Sequence, residues 1–274
     1  MLVDIGIAIV VALAFMAVAL VIELVAPLYR INWASRLIGL QLTLAKTATV
    51  AAILPVLNAA WTKLDVQPIH VQSAVLGAVL TIFFVDFLAY WHHRFLHRFV
   101  WPVHATHHSI RELSAINGYS HFAENFTEFL LIAVPLSLVR WDSVAIPIMI
   151  VWATQFMAYW IHSPTTAQFH ALRHIFVTPR FHRIHHSLEP RHFDKNFGIL
   201  FSFWDRMFGT AFIPDQSEWP DTGIADHAEP RSAWGYFVHP ITYLRSHYSL
   251  RSDISDKVLT SAGPSVAPNS NEAV

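Results

Sequence analysis

Three stretches of the sequence concentrate imidazoles at helical spacing. In Asp86-Phe-Leu-Ala-Tyr-Trp-His92-His93-Arg94-Phe-Leu-His97, His93 and His97 stand four residues apart and so share one face of a helix. In His104-Ala-Thr-His107-His108 the first histidine lies three and four residues before the other two, so all three can project from one turn. The pattern recurs as His182-Arg-Ile-His185-His186. Neutral imidazole ligates iron, zinc, copper or nickel, and eight such groups suffice for two metal ions with positions left open for substrate or oxygen. Fourteen of the 18 histidines fall between His92 and His192, where a filler residue would be scattered along the chain. Cysteine is absent, which excludes disulfides, thiolate zinc sites, iron–sulfur clusters and thiolate-bound haem. Any metal must rest on histidine or carboxylate.

Other polar residues stand near these boxes. His162, at the end of an apolar stretch, is read as a ninth ligand in preference to an interfacial residue, and His121 can be either. His92, His170, His174 and His192 are off the box spacing and suit surface or supporting roles. Asp86 lies seven residues before His93 on the same stripe, where a charge in an apolar helix needs a partner. The candidates are Arg94, Arg183 or the second nitrogen of a ligand histidine. Glu124, Asp194 and Asp205 are further carboxylates placed to support a metal site.

The elements that must carry these residues are apolar. The chain of 274 residues is 54% hydrophobic and 14% charged, too little polar surface for a soluble globule of this size. Its formal net charge is −1 and no basic cluster marks a nucleic-acid partner. Ile5 to Pro27, Leu37 to Trp61 and Val71 to Trp91 each supply the ~20 apolar residues a spanning helix needs. Phe126 to Val139 and Val144 to Ile161, separated by Arg140-Trp141-Asp142, read as two more helices, the first short. The fold class is therefore all-α, an integral-membrane bundle of about four to five transmembrane helices. Asp4 with no preceding basic residue argues against a cleaved signal peptide. Arg30 and Arg36 place the loop after the first span on the cytoplasmic side, which puts every histidine box, and most of the arginines near them, on that side as a helical cap. No linker or repeat divides the chain, so residues 1–251 are expected to form a single domain, with its histidine core at about 80–212. Residues 252–274, rich in Ser, Pro, Asn and Ala, are expected to be a disordered tail. Phe83, Phe84, Phe87, Trp152, Phe156 and Tyr159 sit near the histidine side, where they line a lateral lipid route or simply pack.

Taken together, HRFLH at 93–97, HATHH at 104–108 and HRIHH at 182–186 resemble the boxes of the fatty acid hydroxylase and sterol desaturase superfamily. AYWHHRFLH, VTPRFHRIHHS and the run from Asp194-Lys-Asn-Phe-Gly to Trp204-Asp-Arg-Met-Phe-Gly-Thr210 are similar to that family's flanking sequence. The resemblance implies a membrane oxidoreductase with two non-haem irons, a di-iron monooxygenase or desaturase of membrane lipids such as sterols, fatty acyl chains or alkylglycerols. It implies His93, His97, His104, His107, His108, His162, His182, His185 and His186 as ligands, with no catalytic residue beyond them. Ser-His-Phe-Ala-Glu at 120–124 is similar to the family's His-Pro-x-Glu element, with Phe122 in place of proline, so His121 and Glu124 join Asp86 and Asp194 as additional or supporting residues. The implied partners are O2, a lipid from the bilayer and a separate electron donor of cytochrome b5, ferredoxin or reductase type, since no such domain is present in the sequence. The principal alternative is a zinc-dependent membrane hydrolase, which eight imidazoles make a poor fit because catalytic zinc keeps about three protein ligands.

Overall fold

The computed structural model describes residues 2–29, 32–63, 67–141, 145–225 and 227–261. It is mostly helical. Helices α1 (Leu2–Val25), α2 (Trp33–Thr62) and α3 (Ala74–Phe99) match the three long apolar stretches. Among the described residues, Trp33–Leu57 and Ala74–Phe99 are long and apolar enough to cross a membrane, while the apolar run Leu13–Val25 of α1 is shorter. Both α2 and α3 leave much of their apolar surface uncovered, with Leu37, Val56, Val75 and Leu76 all exposed.

The expected fourth and fifth helices are shorter. Residues 124–137 form one continuous helical rod of α5 (Glu124–Glu128), a π-helical turn (Phe129–Ala133) and α6 (Val134–Ser137). Helix α7 (Ala145–Trp160) has 16 residues. The expected polar turn between them departs from the all-α reading: Val139–Trp141 is a strand, β2, paired in parallel with β1 (Ile69–Val71). Asp142 and the Lys63–Asp65 loop fall largely outside the described residues.

This small sheet sets the level of the histidines. The pair Val71↔Trp141 fixes a common origin for α3 and α7, which follow the two strands and pack against each other. His93 lies 22 residues beyond Val71 and His162 lies 21 beyond Trp141, so both imidazoles reach the same end of the helix pair. Ser73 starts α3 by accepting a hydrogen bond from the Leu76 N–H at 3.3 Å. Val100 ends it, and Pro102, whose missing N–H is tolerated only in a first turn, opens α4 (Trp101–His108) in a new direction. Thr178 caps α8 (Pro179–His185) in the same way as Ser73, with Pro179 at the first helical position. Short α9 (Phe203–Met207) and long α10 (Ala233–Ser261) complete the chain. Helix α10 packs on α4 and α2 and runs past residue 252, where the tail is expected to begin; residues 262–274 lie outside the described residues.

Two buried clusters flank the histidines. One joins Ala19, Met157, Trp160, Val177, Phe181 and Leu200; the other joins Leu42, Ile110, Leu113, Tyr119 and Tyr236. Most of the aromatics expected near the site serve this packing. Phe83 stacks on Phe201 with ring centres 5.1 Å apart, Phe87 meets Trp204 edge-on, and Phe156 packs on Phe15. The side chain of Trp152 lies outside the described residues.

Asp86 has none of its expected partners. Its fully buried carboxylate accepts hydrogen bonds from the N–H groups of Leu200 (2.9 Å) and Phe201 (3.0 Å) and from the Trp204 indole (2.9 Å). It pins the segment between α8 and α9 against α3. Asp86→Asn turns one acceptor oxygen into an N–H pair facing a backbone donor, and should lower stability by about 2 kcal/mol. Thermal unfolding of the detergent-solubilised protein measures this, and an unchanged midpoint would show that the carboxylate contributes nothing there.

Candidate metal centre

The fold gathers nine histidines into two adjoining groups. His93 and His97 of α3, His104 and His108 of α4 and His185 of α8 form the first. His107 of α4, His162 beyond α7, and His182 and His186 at the two ends of the HRIHH turn form the second. Within each group the donor atoms lie within 4.8 Å of one another. The groups share a wall, where the rings of His108 and His186 stack with centres 4.5 Å apart.

The orientation of the rings decides what they can do. Nδ1 of His93 faces the carbonyl oxygen of Phe197 at 2.9 Å, that of His107 faces Tyr119 O at 2.9 Å, and that of His185 faces Lys195 O at 2.7 Å. Nδ1 of His162 faces Ala158 O. A carbonyl only accepts, so each of these Nδ1 atoms carries the proton and each Nε2 is left as a bare lone pair. The Nε2 atoms then crowd together: His93 to His104 and His97 to His108 at 3.1 Å, His97 to His185 at 3.2 Å. In the second group His162 lies 3.3 Å from His107 and 3.1 Å from His182, and His186 lies 3.2 Å from His182. Burial holds His104, His107, His108, His182, His185 and His186 well below the ordinary imidazole value, and His162 at about 4. Protons therefore do not fill the gaps at neutral pH. Converging neutral lone pairs repel unless a cation lies between them, so the donor set fits a pair of transition-metal ions with nitrogen preference.

Carboxylates and backbone hold the rings from behind. Glu124 Oε2 lies 3.3 Å from His104 Nδ1, and its burial pushes the carboxyl up to about 8. Asp194 Oδ1 lies 3.3 Å from His97 Nδ1, although the aspartate is otherwise exposed and adopts a left-handed backbone with φ 55°. Asp205 accepts from the N–H groups of Phe197 and Gly198 and from the Thr210 hydroxyl, and so fixes the carbonyl that orients His93. Asn196 ties the same loop to α8 by donating to Phe181 O at 2.8 Å. Gly198 leaves room for this: a Cβ there would lie 2.7 Å from Phe201 O.

His121 is outside both groups. Its Nδ1 accepts from the Ala123 N–H and its ring packs on Tyr236. His92 meets the Thr127 hydroxyl at 2.9 Å and His192 lies between Ser187 and Glu218, both off the metal-binding groups. Sequence reasoning passed over Gly118, Asn196 and Lys46. Lys46 had a visible signal as a lone charge inside the apolar stretch Leu37 to Trp61, Asn196 lay within the run Asp194-Lys-Asn-Phe-Gly without a role of its own, and Gly118 had no signal.

A cavity of about 490 Å³ opens onto the centre. His93, His104, His107, His162 and His182 line it, so both groups face it. Val85, Ala89 and Leu96 of α3, together with Ile132, Leu136 and Ile161, form an apolar wall. Thr43, Lys46 and Thr47 of α2, with Ser120, Asn125 and Glu128, form a polar one. Among the described residues, Tyr159 is the one expected aromatic that reaches it.

Comparison with known proteins agrees with this arrangement. Residues 78–210 match the family model described as fatty acid hydroxylase. Alkylglycerol monooxygenase of Danio rerio is 34% identical over 138 residues, 49% of this chain and 30% of that protein. Ornithine lipid hydroxylase OlsE of Rhizobium tropici is 32% identical over 166 residues, 58% and 47% of the two chains. Very-long-chain aldehyde decarbonylase GL1-6 of Oryza sativa is 31% identical over 153 residues, 51% and 23%. The chain thus spans a third to a half of the length of the first of these relatives, and no solved structure matches it. The matched stretch runs from the second turn of α3 to Thr210 and contains all nine converging histidines, every carboxylate behind them and the loop that orients them; over that stretch the chain is similar to the fatty acid hydroxylase family.

Proposed function

We propose that the protein is an integral-membrane, O2-dependent lipid hydroxylase or desaturase whose two histidine groups each hold one iron. The observation that carries this reading is the cavity that touches both groups at once, where nine neutral imidazoles converge within ligand distance of one another. The names of the relatives, a monooxygenase, a hydroxylase and a decarbonylase of lipids, support the same class of chemistry. The exposed apolar faces of α2 and α3 support insertion in a bilayer, with residues 1–251 acting as one domain and the histidine side in the cytoplasm.

In this reading His93, His97, His104, His108 and His185 hold one ion, and His107, His162, His182 and His186 the other. Bound iron supplies the reduction of O2 and the removal of hydrogen from an unactivated C–H bond, with electrons from a separate carrier protein. The chain supplies the rest. Backbone carbonyls of Phe197, Tyr119, Lys195 and Ala158 keep four rings in the tautomer that ligates. Asp194 accepts from the rear nitrogen of His97 and raises its basicity, and Glu124 stands 3.3 Å behind the rear nitrogen of His104. The wall of Val85, Ala89, Leu96 and Ile161 excludes water from the face at which the substrate C–H is presented.

Anaerobic purification followed by elemental analysis should find about two irons per chain. His185→Ala should retain about one, and a His107→Ala, His185→Ala double variant close to none. One zinc per chain, untouched by these substitutions, would instead identify the hydrolase alternative.

Gly118 gives a sharper test of the second group. A Cβ at this position would stand 2.9 Å from His162 Cγ and 3.0 Å from its Nδ1. Gly118→Ala must displace that ring, and should weaken one of the two ions by about tenfold or more while leaving the other unchanged. Stepwise removal by a chelator, followed as metal per chain, reads the difference; two ions lost together would contradict the assignment of His162 to one group.

A further inference from the structure

The polar wall of the cavity is the feature that oxygen chemistry does not use. Lys46 stands within Trp33–Leu57, an apolar stretch long enough to cross a membrane, where a charge is costly and marks a binding function unless it is neutralised. The comparable charge in α1 is neutralised: Glu23 is buried against Arg36 and also accepts from the Ala115 N–H. Lys46 is treated differently. Its ammonium donates to the neutral hydroxyl of Ser120, and among the described residues no carboxylate forms an ion pair with it. Ser120 is itself held in place, because its carbonyl accepts from the Tyr236 hydroxyl at 2.6 Å. The ammonium therefore lines the same cavity as His104 and His107 from a fixed position; Asn125, the exposed Glu128 and the buried Glu124, whose carboxyl feels the Lys46 charge without pairing to it, line it as well. The helix that carries Glu128 turns π-helical immediately after it, a departure from α-geometry that recurs at functional sites.

A plain hydrocarbon chain or a sterol ring would leave this wall facing nothing it can bond. We propose that Lys46 anchors the acidic group of a lipid headgroup, so that the substrate is an amphiphile with a carboxylate or phosphate and the C–H attacked lies within a few bonds of it. Glu128, on the rim, meets N–H donors of the same headgroup. The cavity volume of about 490 Å³ suits a headgroup and the first carbons beyond it, while the remaining tail stays in the bilayer. This specificity rests on the oxygenase reading for its meaning, but Lys46 recognises the acid whether or not the metal is present.

The test uses two amphiphiles of equal chain length, N-palmitoylglycine with a carboxylate head and 1-hexadecylglycerol with an uncharged one. Binding to the full-length protein in detergent is measured anaerobically by native mass spectrometry, without reductant, so that no turnover is needed. The wild type should bind the acid about tenfold more tightly than the glycerol ether, the factor expected of one charge-assisted hydrogen bond. Lys46→Met should abolish that preference without weakening the glycerol ether, and Lys46→Arg should keep it. Unfolding midpoints of both variants separate a folding defect from a binding one. Equal affinity in the wild type, or a preference that survives Lys46→Met, would overturn the proposal. Metal content is determined on the same preparations: a Lys46-dependent preference in a protein that holds no transition metal would sink the oxygenase reading and leave the anchor standing, whereas two irons without the preference would sink the anchor alone.

Discussion

Bare imidazole nitrogens packed against one another are the constraint around which the rest of this chain is arranged. Six Nε2 contacts of 3.1 to 3.3 Å bring ring nitrogens together in a buried region, and in the His107–His162 and His97–His185 contacts, where every Nδ1 faces an acceptor, lone pair meets lone pair at a cost that the surrounding scaffold has to meet. Five of the nine rings are tethered from behind, His93, His107, His162 and His185 by a backbone carbonyl and His97 by a carboxylate, and Glu124 stands behind a sixth, His104. The tethers prevent the simplest relaxation, in which a ring flips and donates its proton to its neighbour. A site of this kind is preorganised for metal because its own residues cannot satisfy one another.

The tethers are in turn anchored by buried acids that never approach the imidazole nitrogens. Asp205 holds the Phe197–Gly198 backbone and Asp86 holds the Leu200–Phe201 backbone, so that the loop following the HRIHH box is clamped twice within a few residues. Such a carboxylate, accepting two or three N–H donors, compensates for its own desolvation and fixes the loop in a left-handed turn at Asp194 and Asn196 that isolated sequence would not favour. This explains why the run from Asp194 to Thr210 is as recognisable as the boxes themselves. It contributes one weak contact to a metal-facing ring directly and determines the position of two others through main-chain oxygen atoms.

The legibility of the sequence follows that division. Eight of the nine converging histidines repeat at i, i+3 and i+4 within the three boxes and were named from that spacing, whereas His162 was read from its place at the end of an apolar stretch and from the family resemblance. Long apolar helices were equally plain. What spacing cannot reveal is an interaction carried by backbone: Tyr119, Lys195 and Phe197 act through their carbonyls, Gly118 and Gly198 through an absent Cβ, and Asp86 through donors more than a hundred residues away. Asp86 was expected to find an arginine or a histidine because a sequence displays side chains and hides amides. The short sheet escaped for a related reason. Ile69–Val71 and Val139–Trp141 are three residues each, with no alternation to see, and their pairing exists only because the helices that follow bring them together.

That inconspicuous sheet also bears on how the two histidine groups can be kept in register. Helix α3 and the turn that follows α7 contribute His93 and His162 to different groups, and each helix advances about 1.5 Å per residue, so an error of one residue in their relative start would shift one imidazole against the other by that amount and rotate it by about 100°. Side-chain packing between two apolar helices tolerates sliding of this size poorly but does not forbid it, since leucine and valine faces offer several near-equivalent fits. Parallel pairing of Val71 with Trp141 adds a constraint near the starts of both helices, because main-chain hydrogen bonds admit only discrete registers. With that pairing near one end and His93 tied across to Phe197 at the other, the scaffold holds the two groups in place, and His162 is oriented within its own turn by Ala158. A two-ion centre that must offer both ions to one substrate needs such a scaffold, since neither ion then has to be bound for the other's site to be in place.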